Sequence, residues 1–95
     1  AALVAATMAE FGRLDILVNN AGVALGALPE DTTLEDWEKV IGINLTGTFL
    51  CAREAAKEMI KARSGKIINI SSVMGYQTTS VVSAPAYVAS KGAVV

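Results

Sequence analysis

The chain has 95 residues, of which 53% are hydrophobic and 18% charged, and its eight basic and nine acidic residues give a net charge of −1. This length suffices for one small domain, and the apolar content exceeds what such a domain usually needs. Dispersed basic residues argue against a nucleic-acid partner. The absence of histidine excludes histidine-dependent nucleophile systems and most zinc or iron sites, so no metal is expected.

Neither membrane insertion nor secretion is expected. No apolar stretch is long enough to span a bilayer, and the N-terminal residues lack the charged start and cleavage site of a signal peptide. The single Cys51 cannot form an internal disulfide, and its helical context predicts a small core residue in a reducing compartment. We therefore expect a cytoplasmic protein with no membrane partner.

The first elements are a predicted helix over Ala1–Phe11 and a predicted strand over Asp15–Val18. The strand residues form a short apolar, partly β-branched run, which is typical of a parallel strand buried on both faces. The run ends at Asn19-Asn20-Ala21-Gly22, where we expect a tight turn. Asn19 has the alternative role of simply terminating the strand.

The middle of the chain predicts one long crossover helix from Leu34 to Ala62, because polar and apolar residues alternate there at helical spacing. Its apolar stripe comprises Trp37, Val40, Ile41, Asn44, Leu45, Thr48, Ala52, Ala55 and Met59. Trp37 is expected in the core. The helix is longer than an ordinary globular one, so a kink or break is expected between Gly42 and Gly47.

The ends of this helix also carry sequence signals. Thr32, three residues before Glu35, predicts a capping-box start, and Gly65 predicts the stop. A second strand is predicted at Lys66–Ile70, and Ser71-Ser72 ends it much as the asparagines end the first strand.

A strand-helix-strand unit of this length requires parallel strands whose carboxyl ends lie at the same edge of the sheet. Asn19 and Asn20 should therefore lie near Ser72, at the edge where open α/β sheets bind ligands. The fold class is α/β, as part of a doubly wound parallel sheet. Such a sheet needs helices on both faces, so this chain, which begins and ends inside helices and resembles an internal fragment, is not expected to fold well alone.

The last helix carries the most informative pair of side chains. Tyr87 and Lys91 stand one turn apart on a helix that Pro85 opens. A phenol is a poor base at neutral pH, since its ordinary pKa is about 10, but a fixed neighbouring cation favours the phenolate. This spacing therefore indicates a usable proton donor and acceptor.

Two further polar residues complete a candidate site. Asn44 lies on the apolar stripe, where a carboxamide needs fixed partners, although it could instead be a polar residue at a helix kink. Ser72 would bring a hydroxyl to Tyr87 if the loop between them folds back, and Ser71 is the alternative hydroxyl. Hydride loss from an alcohol carbon needs such a donor and base at one oxygen.

With these residues in view, the chain resembles the short-chain dehydrogenase/reductase family over essentially all of its length. Four segments are similar, in order, to signature segments of that family: Leu14–Gly22, Ile43–Phe49, Ile68–Ser72 and Tyr87–Lys91. The resemblance implies that residues 1–95 are the central fragment of one NAD(P)-binding, Rossmann-like domain. It also implies hydride transfer between NAD or NADP and a secondary alcohol or ketone.

The resemblance further implies a role for each site residue. Tyr87 would exchange the hydroxyl proton, and Lys91 would favour the phenolate and hydrogen-bond the nicotinamide ribose. Ser72 would hold the substrate oxygen, and Asn44 would bind a water linking Lys91 to solvent. The predicted catalytic set is Asn44, Ser72, Tyr87 and Lys91, and the predicted cofactor-binding set is Asn19, Asn20, Ala21, Gly22, Tyr87 and Lys91.

Two departures from the family pattern stand out. Ser72 and Tyr87 are fifteen positions apart, more than is common in the family, so the loop over residues 76–84 should shape an unusual substrate pocket. The glycine-rich phosphate turn G-x-G-x-x-G is missing, so this chain by itself should not hold a dinucleotide properly or be active.

Three functions are compatible with these residues. The first is an alcohol dehydrogenase or carbonyl reductase, similar to the 3-oxoacyl carrier-protein reductases or sugar dehydrogenases and acting on a small alcohol or carbonyl substrate. The second is a nucleotide-sugar epimerase or dehydratase, and the third is a non-catalytic dinucleotide-binding protein. The resemblance also implies a homodimer or homotetramer assembled through the long helix and the Tyr87 helix.

Overall fold

The chain forms two parallel strands with helices before, between and after them. The computed structural model describes residues 2–72 and 84–95. The helices are α1 (Ala2–Phe11), α2 (Leu34–Ile41), α3 (Gly47–Ala62) and α4 (Pro85–Val94), and the strands are β1 (Ile16–Asn19) and β2 (Lys66–Asn69). A 3-10 turn (Pro29–Asp31) precedes α2, and a π-helical turn (Gly42–Thr46) joins α2 to α3. The predicted α/β class is confirmed.

The two strands pair in parallel over their whole length, from Ile16 opposite Lys66 to Asn19 opposite Asn69. The first strand therefore begins and ends one residue later than predicted. Asn19 belongs to the strand and not to the turn, because its carbonyl accepts a hydrogen bond from the Ile70 N–H at 3.0 Å. Its side chain also pairs with Asn69, Nδ2 to Oδ1, at 2.9 Å.

The predicted long helix is confirmed over its full extent, and so is the break between its two glycines. From Leu34 to Ala62 the backbone stays helical, but the Gly47 N–H bonds the carbonyl of Gly42, five residues earlier. Such a π-helical turn inserts one extra residue into the helix and shifts the faces on either side of it. The interruption falls at Gly42–Thr46, which contains Asn44.

The predicted start signal of α2 is wrong by one residue. Thr33 is the cap, since its hydroxyl oxygen accepts a hydrogen bond from the Asp36 N–H at 3.1 Å. Thr32, which we paired with Glu35, instead donates its hydroxyl to the carbonyl of Leu28 at 3.0 Å within the 3-10 turn. Either of the two adjacent threonines could cap α2, but the hydroxyl of Thr32 is already bonded within the preceding 3-10 turn.

The stop signal is also displaced. Arg63, with φ of 53°, takes the left-handed conformation that ends α3, and its N–H bonds the carbonyl of Ile60 at 3.2 Å. Gly65 follows with φ of +151°, and a side chain at this position would overlap Met59. Gly65 therefore permits the close return of the chain into β2 but does not itself end the helix.

The apolar core lies on one face of the sheet, between the strands and helices α1 and α3. Its buried centre consists of Val4, Ala55 and Met59, with Leu14 and Leu17 packed against it. On the opposite face Ile16 is 56% exposed, and Val18 and Ile68 are similarly open. Within this chain β1 is therefore buried on one face only, and all four residues of β2 are exposed.

Two smaller predictions about the core need correction. Trp37 is 38% exposed, because α2 is buried through its C-terminal turn, where Val40 is inaccessible to solvent. Cys51 is half-buried and not a core residue. Ala1 and residues 76–83 of the predicted 76–84 loop lie outside the described part of the chain.

Candidate active site

Asn44 is fully buried, and its carboxamide has three hydrogen-bond partners. Oδ1 accepts a hydrogen bond from the Val23 N–H at 2.8 Å, while Nδ2 donates to the Val23 carbonyl at 2.8 Å and to Ser90 Oγ at 3.0 Å. These contacts join the π-helical turn, the loop after β1 and helix α4 at one point. The prediction that Asn44 needs fixed partners is confirmed.

The π-helical turn also explains how the backbone of Asn44 is satisfied. Its five-residue hydrogen-bond spacing interrupts the regular ladder of the helix. The carbonyl of Asn44 accepts a hydrogen bond from Thr48 Oγ1 at 2.8 Å, one turn further along. The backbone carbonyl of Asn44 therefore keeps a hydrogen-bond partner, and the side chain lies on the buried side.

Lys91 is the buried cation of the site. Only 5% of its surface is exposed, and Nζ donates a hydrogen bond to the carbonyl of Ile70 at 3.1 Å, just beyond β2. The ion pairs between described residues do not include Lys91. Among the described residues its hydrogen-bond acceptor is this one carbonyl, and a buried ammonium is stabilised by further polar groups beside it.

A cavity of about 300 Å³ opens beside this ammonium, at the carboxyl ends of both strands. The described residues that line it are Asn20, Gly22, Val23, Ala24, Ile70, Ser71, Tyr87 and Lys91. Lys91 Nζ lies 5.8 Å from the centroid of the Tyr87 ring. The cavity thus presents a phenol and an ammonium together at the sheet edge that binds ligands in open α/β folds.

Gly22 brings the loop after β1 into close contact with both polar residues behind the cavity. A Cβ atom at this position would lie 3.3 Å from Asn44 Oδ1 and 3.4 Å from Lys91 Nζ. Either neighbour would have to shift to accommodate a side chain. The absence of a side chain at Gly22 is therefore what allows this loop to lie against the ammonium.

The other predicted site residues occupy different positions. Asn20 lines the cavity already described and also a second one of about 380 Å³, between α1, β1 and the π-helical turn. Asn19 and Ala21 line only the second cavity. Ser72 is half-buried beyond the end of β2 and lines neither.

Three residues of the site make contacts that were not anticipated from the sequence, namely Val23, Ser71 and Ser90. Ser71, which we considered as an alternative reactive hydroxyl, donates its Oγ hydrogen to the carbonyl of Lys91 at 2.7 Å. Ser90 is fully buried and lies three residues after Tyr87 in the same helix. Its position between Tyr87 and Lys91 could have marked it as a site residue. Nothing in the sequence indicated its bond to Asn44, which is 46 positions away.

Hydrogen bonds lower the pKa values of two carboxylates that lie away from the cavity. A hydrogen bond from Arg13 lowers the pKa of Asp15, and one from Lys57 lowers the pKa of Glu54. Within the described ranges, no group of three or more potential carboxylate or thiolate ligands is placed to bind a metal ion. In the same ranges, every helix is too short or too polar to cross a bilayer.

The family model for short chain dehydrogenases matches residues 1–95, so the chain belongs to the short-chain dehydrogenase family. It is similar to the solved crystal structure of gox2181, with a TM-score of 0.92, 34% identity, and coverage of 96% of this chain and 36% of that one. This likeness confirms the predicted doubly wound, Rossmann-like class.

Several curated relatives carry enzyme names. The chain is 51% identical over 73 residues to the 3-oxoacyl-[acyl-carrier-protein] reductase of Synechocystis sp., covering 77% of this chain and 30% of that protein. It is 47% identical over 90 residues to the D-threitol dehydrogenase of Mycolicibacterium smegmatis, covering 95% and 34%. The chain spans about a third of the length of these relatives.

Proposed function

We propose that this chain is the central segment of a single NAD(P)-binding domain in an oxidoreductase that interconverts a secondary alcohol and a ketone. The observation that carries the proposal is the buried ammonium of Lys91, placed beside the Tyr87 ring at a cavity on the carboxyl edge of the sheet. Membership of the short-chain dehydrogenase family supports the same reaction class.

The described residues fit one end of a nicotinamide dinucleotide. The cavity offers Lys91 as a hydrogen-bond donor, and the side-chain-free Gly22 lets a ligand approach the backbone of the loop after β1. We propose that Tyr87 and Lys91 contact the nicotinamide ribose end. Asn19, Asn20, Ala21 and Gly22 would form the wall toward the adenosine. The ring of the cofactor, when bound, supplies the hydride acceptor or donor.

Tyr87 is the proposed proton donor and acceptor at the substrate oxygen. In the reducing direction its hydroxyl gives a proton to the carbonyl oxygen, and in the oxidising direction its phenolate removes the alcohol proton. Lys91 holds a positive charge close to the ring, with its Nζ 5.8 Å from the ring centroid. The ammonium is buried, so less water screens its charge from groups in the cavity.

Ser72 and Asn44 complete the proposed site. We assign Ser72 to orient the substrate oxygen from the end of β2. The contacts of Asn44 with Val23 and Ser90 support a further role for it, which is to hold the loop after β1 against α4. The bridging water that the resemblance assigns to Asn44 stays a prediction.

For the substrate we propose a 3-oxoacyl thioester or a sugar-derived alcohol, because similar curated relatives carry names of both types. A homodimer or homotetramer through α3 and α4 is proposed as well, and the exposed Phe49 and Ile60 of α3 support it. The cytoplasmic location inferred from Cys51 stays a prediction.

The test uses the full-length enzyme and follows NAD(P)H absorbance with a panel of 3-oxoacyl thioesters, ketones and polyols. We expect Tyr87→Phe to lower kcat by about 10³-fold, within the range of general acid-base catalysis, while the cofactor dissociation constant changes little. Trp37→Phe, an aromatic replacement at an exposed position, is the matched control. Unchanged turnover in Tyr87→Phe would refute the proposal.

The same assay separates the two other functions. Tightly retained cofactor with substrate conversion but no net change in NAD(P)H would indicate an epimerase or dehydratase. Cofactor binding without any turnover across the panel would indicate a dinucleotide-binding protein that is not an enzyme.

A further inference from the structure

Ser90 is a fully buried hydroxyl that makes no contact with the cavity in the described part of the chain. We propose that Ser90 is a positioning residue, which acts through the carboxamide of Asn44 to hold the loop after β1 against Tyr87 and Lys91. The inference rests on the proposed function, because it assigns a further residue to that same site.

The hydroxyl of Ser90 is used both as donor and as acceptor. Its proton goes to the carbonyl of Tyr87 at 2.8 Å, and its oxygen accepts a hydrogen bond from Asn44 Nδ2 at 3.0 Å. The first bond fixes the rotation of the hydroxyl, so that its lone pairs are available to Asn44. A serine whose hydroxyl only bonded the backbone of its own helix would need the bond to the Tyr87 carbonyl alone.

Asn44 transmits this constraint to the wall of the cavity. Both hydrogens of Nδ2 are used, one by Ser90 Oγ and the other by the carbonyl of Val23. Because Oδ1 also accepts from the Val23 N–H, the plane of the carboxamide is set by three bonds. Removing Ser90 Oγ would leave a buried N–H without its partner and remove one of the three bonds that fix the orientation of the amide.

The position of this loop matters for the proposed chemistry. Val23 and Gly22 line the cavity together with Tyr87 and Lys91, and Gly22 already lies against the ammonium. A small displacement of the loop therefore changes the space beside the phenol and ammonium. Such changes in alignment alter turnover strongly even when all reacting groups are present.

The first experiment measures kcat of the full-length enzyme and its variants. Ser90→Ala should lower kcat about tenfold, an effect of the size expected for misalignment. Ser90→Thr keeps the hydroxyl and should therefore retain most of the wild-type kcat. Ser64→Ala is the matched control at an exposed serine and should retain wild-type turnover.

A double-mutant cycle with Asn44→Ala then tests the route of the effect. If Ser90 acts through Asn44, adding Ser90→Ala to Asn44→Ala should change kcat by less than about twofold. Full additivity of the two losses, or wild-type kcat in Ser90→Ala, would overturn the inference. If Ser90→Ala does not fold, Ser90→Cys replaces it in the cycle, because a thiol of similar size is a weak acceptor.

An NMR measurement gives a readout independent of turnover. In asparagine-labelled enzyme, the side-chain amide resonances of Asn44 should shift and exchange faster with solvent in Ser90→Ala, whereas Ser64→Ala leaves them in place. Active wild type, inactive Tyr87→Phe and unaltered Asn44 resonances in Ser90→Ala would refute only the role of Ser90. A wild type that converts no substrate would refute the proposed function, and the role of Ser90 with it.

Discussion

Two regions of the sheet bury different kinds of groups: its carboxyl edge, where the candidate site lies, and its open face, which carries Ile16, Val18 and Ile68. At the edge, Asn44, Ser90 and Lys91 are almost inaccessible to solvent, although all three are polar or charged. On the open face, Ile16 and Val18 are more than half exposed. Burying polar groups is costly unless they are bonded, whereas exposing isoleucine forgoes stabilisation. The chain therefore organises its site with its own residues but leaves much of its sheet uncovered.

The reason for the difference is visible in the contacts. The described hydrogen-bond partners of the Asn44 and Lys91 side chains lie in the loop after β1, at the end of β2 and in helix α4. The open face would need helices that pack across both strands, as doubly wound sheets have. The polar contacts of the site are thus complete among the described residues, while the apolar cover of the sheet is not.

The largest expected effect comes from breaking the buried polar edge. Asn44→Leu in the full-length enzyme replaces a carboxamide by an apolar group of similar size and leaves both Val23 backbone groups and Ser90 Oγ without their partner. Because each unsatisfied buried group costs about 1–3 kcal/mol, we expect a loss of about 3 kcal/mol or more in the free energy of unfolding.

Chemical denaturation followed by circular dichroism measures that loss, with Asn44→Asp as the matched variant. The aspartate keeps an acceptor for the Val23 N–H but loses both donors, so it should also be destabilised. Wild-type stability in Asn44→Leu would contradict the importance that the contrast assigns to this edge.

An intermediate effect is expected from substitutions on the two faces of β1. In the 95-residue chain, Val18→Thr should reduce binding of an apolar dye, since it removes exposed apolar surface. Leu17→Thr should increase dye binding, because Leu17 packs against the core of Val4, Ala55 and Met59. Titration with the dye and a thermal scan measure both. Equal responses of the two variants would mean that the two faces do not differ.

The smallest effect is expected at an exposed ion pair. Arg13 lowers the pKa of Asp15 below its ordinary value, so the pair stabilises the fold above that ordinary pKa and loses its effect as the pH falls through the lowered one. Arg13→Gln should lower Tm by only a degree or two at neutral pH, because solvent screens the pair. The difference should vanish once the pH falls below the lowered pKa of Asp15.

Thermal scans across that pH range check this prediction, with Arg53→Gln as a second exposed arginine for comparison. A Tm difference that grows toward acid pH would contradict the sign derived for Asp15. A loss as large as that of Asn44→Leu would contradict the distinction between buried and exposed polar groups.

The sequence predicted what depends on short spacing. The separation of Tyr87 and Lys91, the strand-turn pattern before Gly22 and the pair of glycines around Asn44 each follow a local rule of helix, turn or glycine chemistry. These rules gave the fold class and the helix bounds, and they brought Tyr87 and Lys91 to one cavity.

The sequence did not predict choices between equivalent neighbours or contacts over long separations. Thr32 and Thr33 each precede an acidic residue by three positions, and the 3-10 turn decides between them. The left-handed conformation of Arg63 has no residue-level signal, since such conformations favour glycine. The bond from Asn44 to Ser90 joins residues 46 positions apart, so only the folded arrangement brings them together.

The π-helical turn at Gly42–Thr46 has a consequence for how this segment can vary. An α-helix rotates about 100° per residue, so removing one residue there would restore the regular ladder and turn the flanking faces by that angle relative to each other. Substitutions on the solvent side of this turn should be tolerated, whereas deletion of one residue would rotate the buried carboxamide of Asn44 toward water. The number of residues in this turn is therefore constrained more tightly than most of their identities.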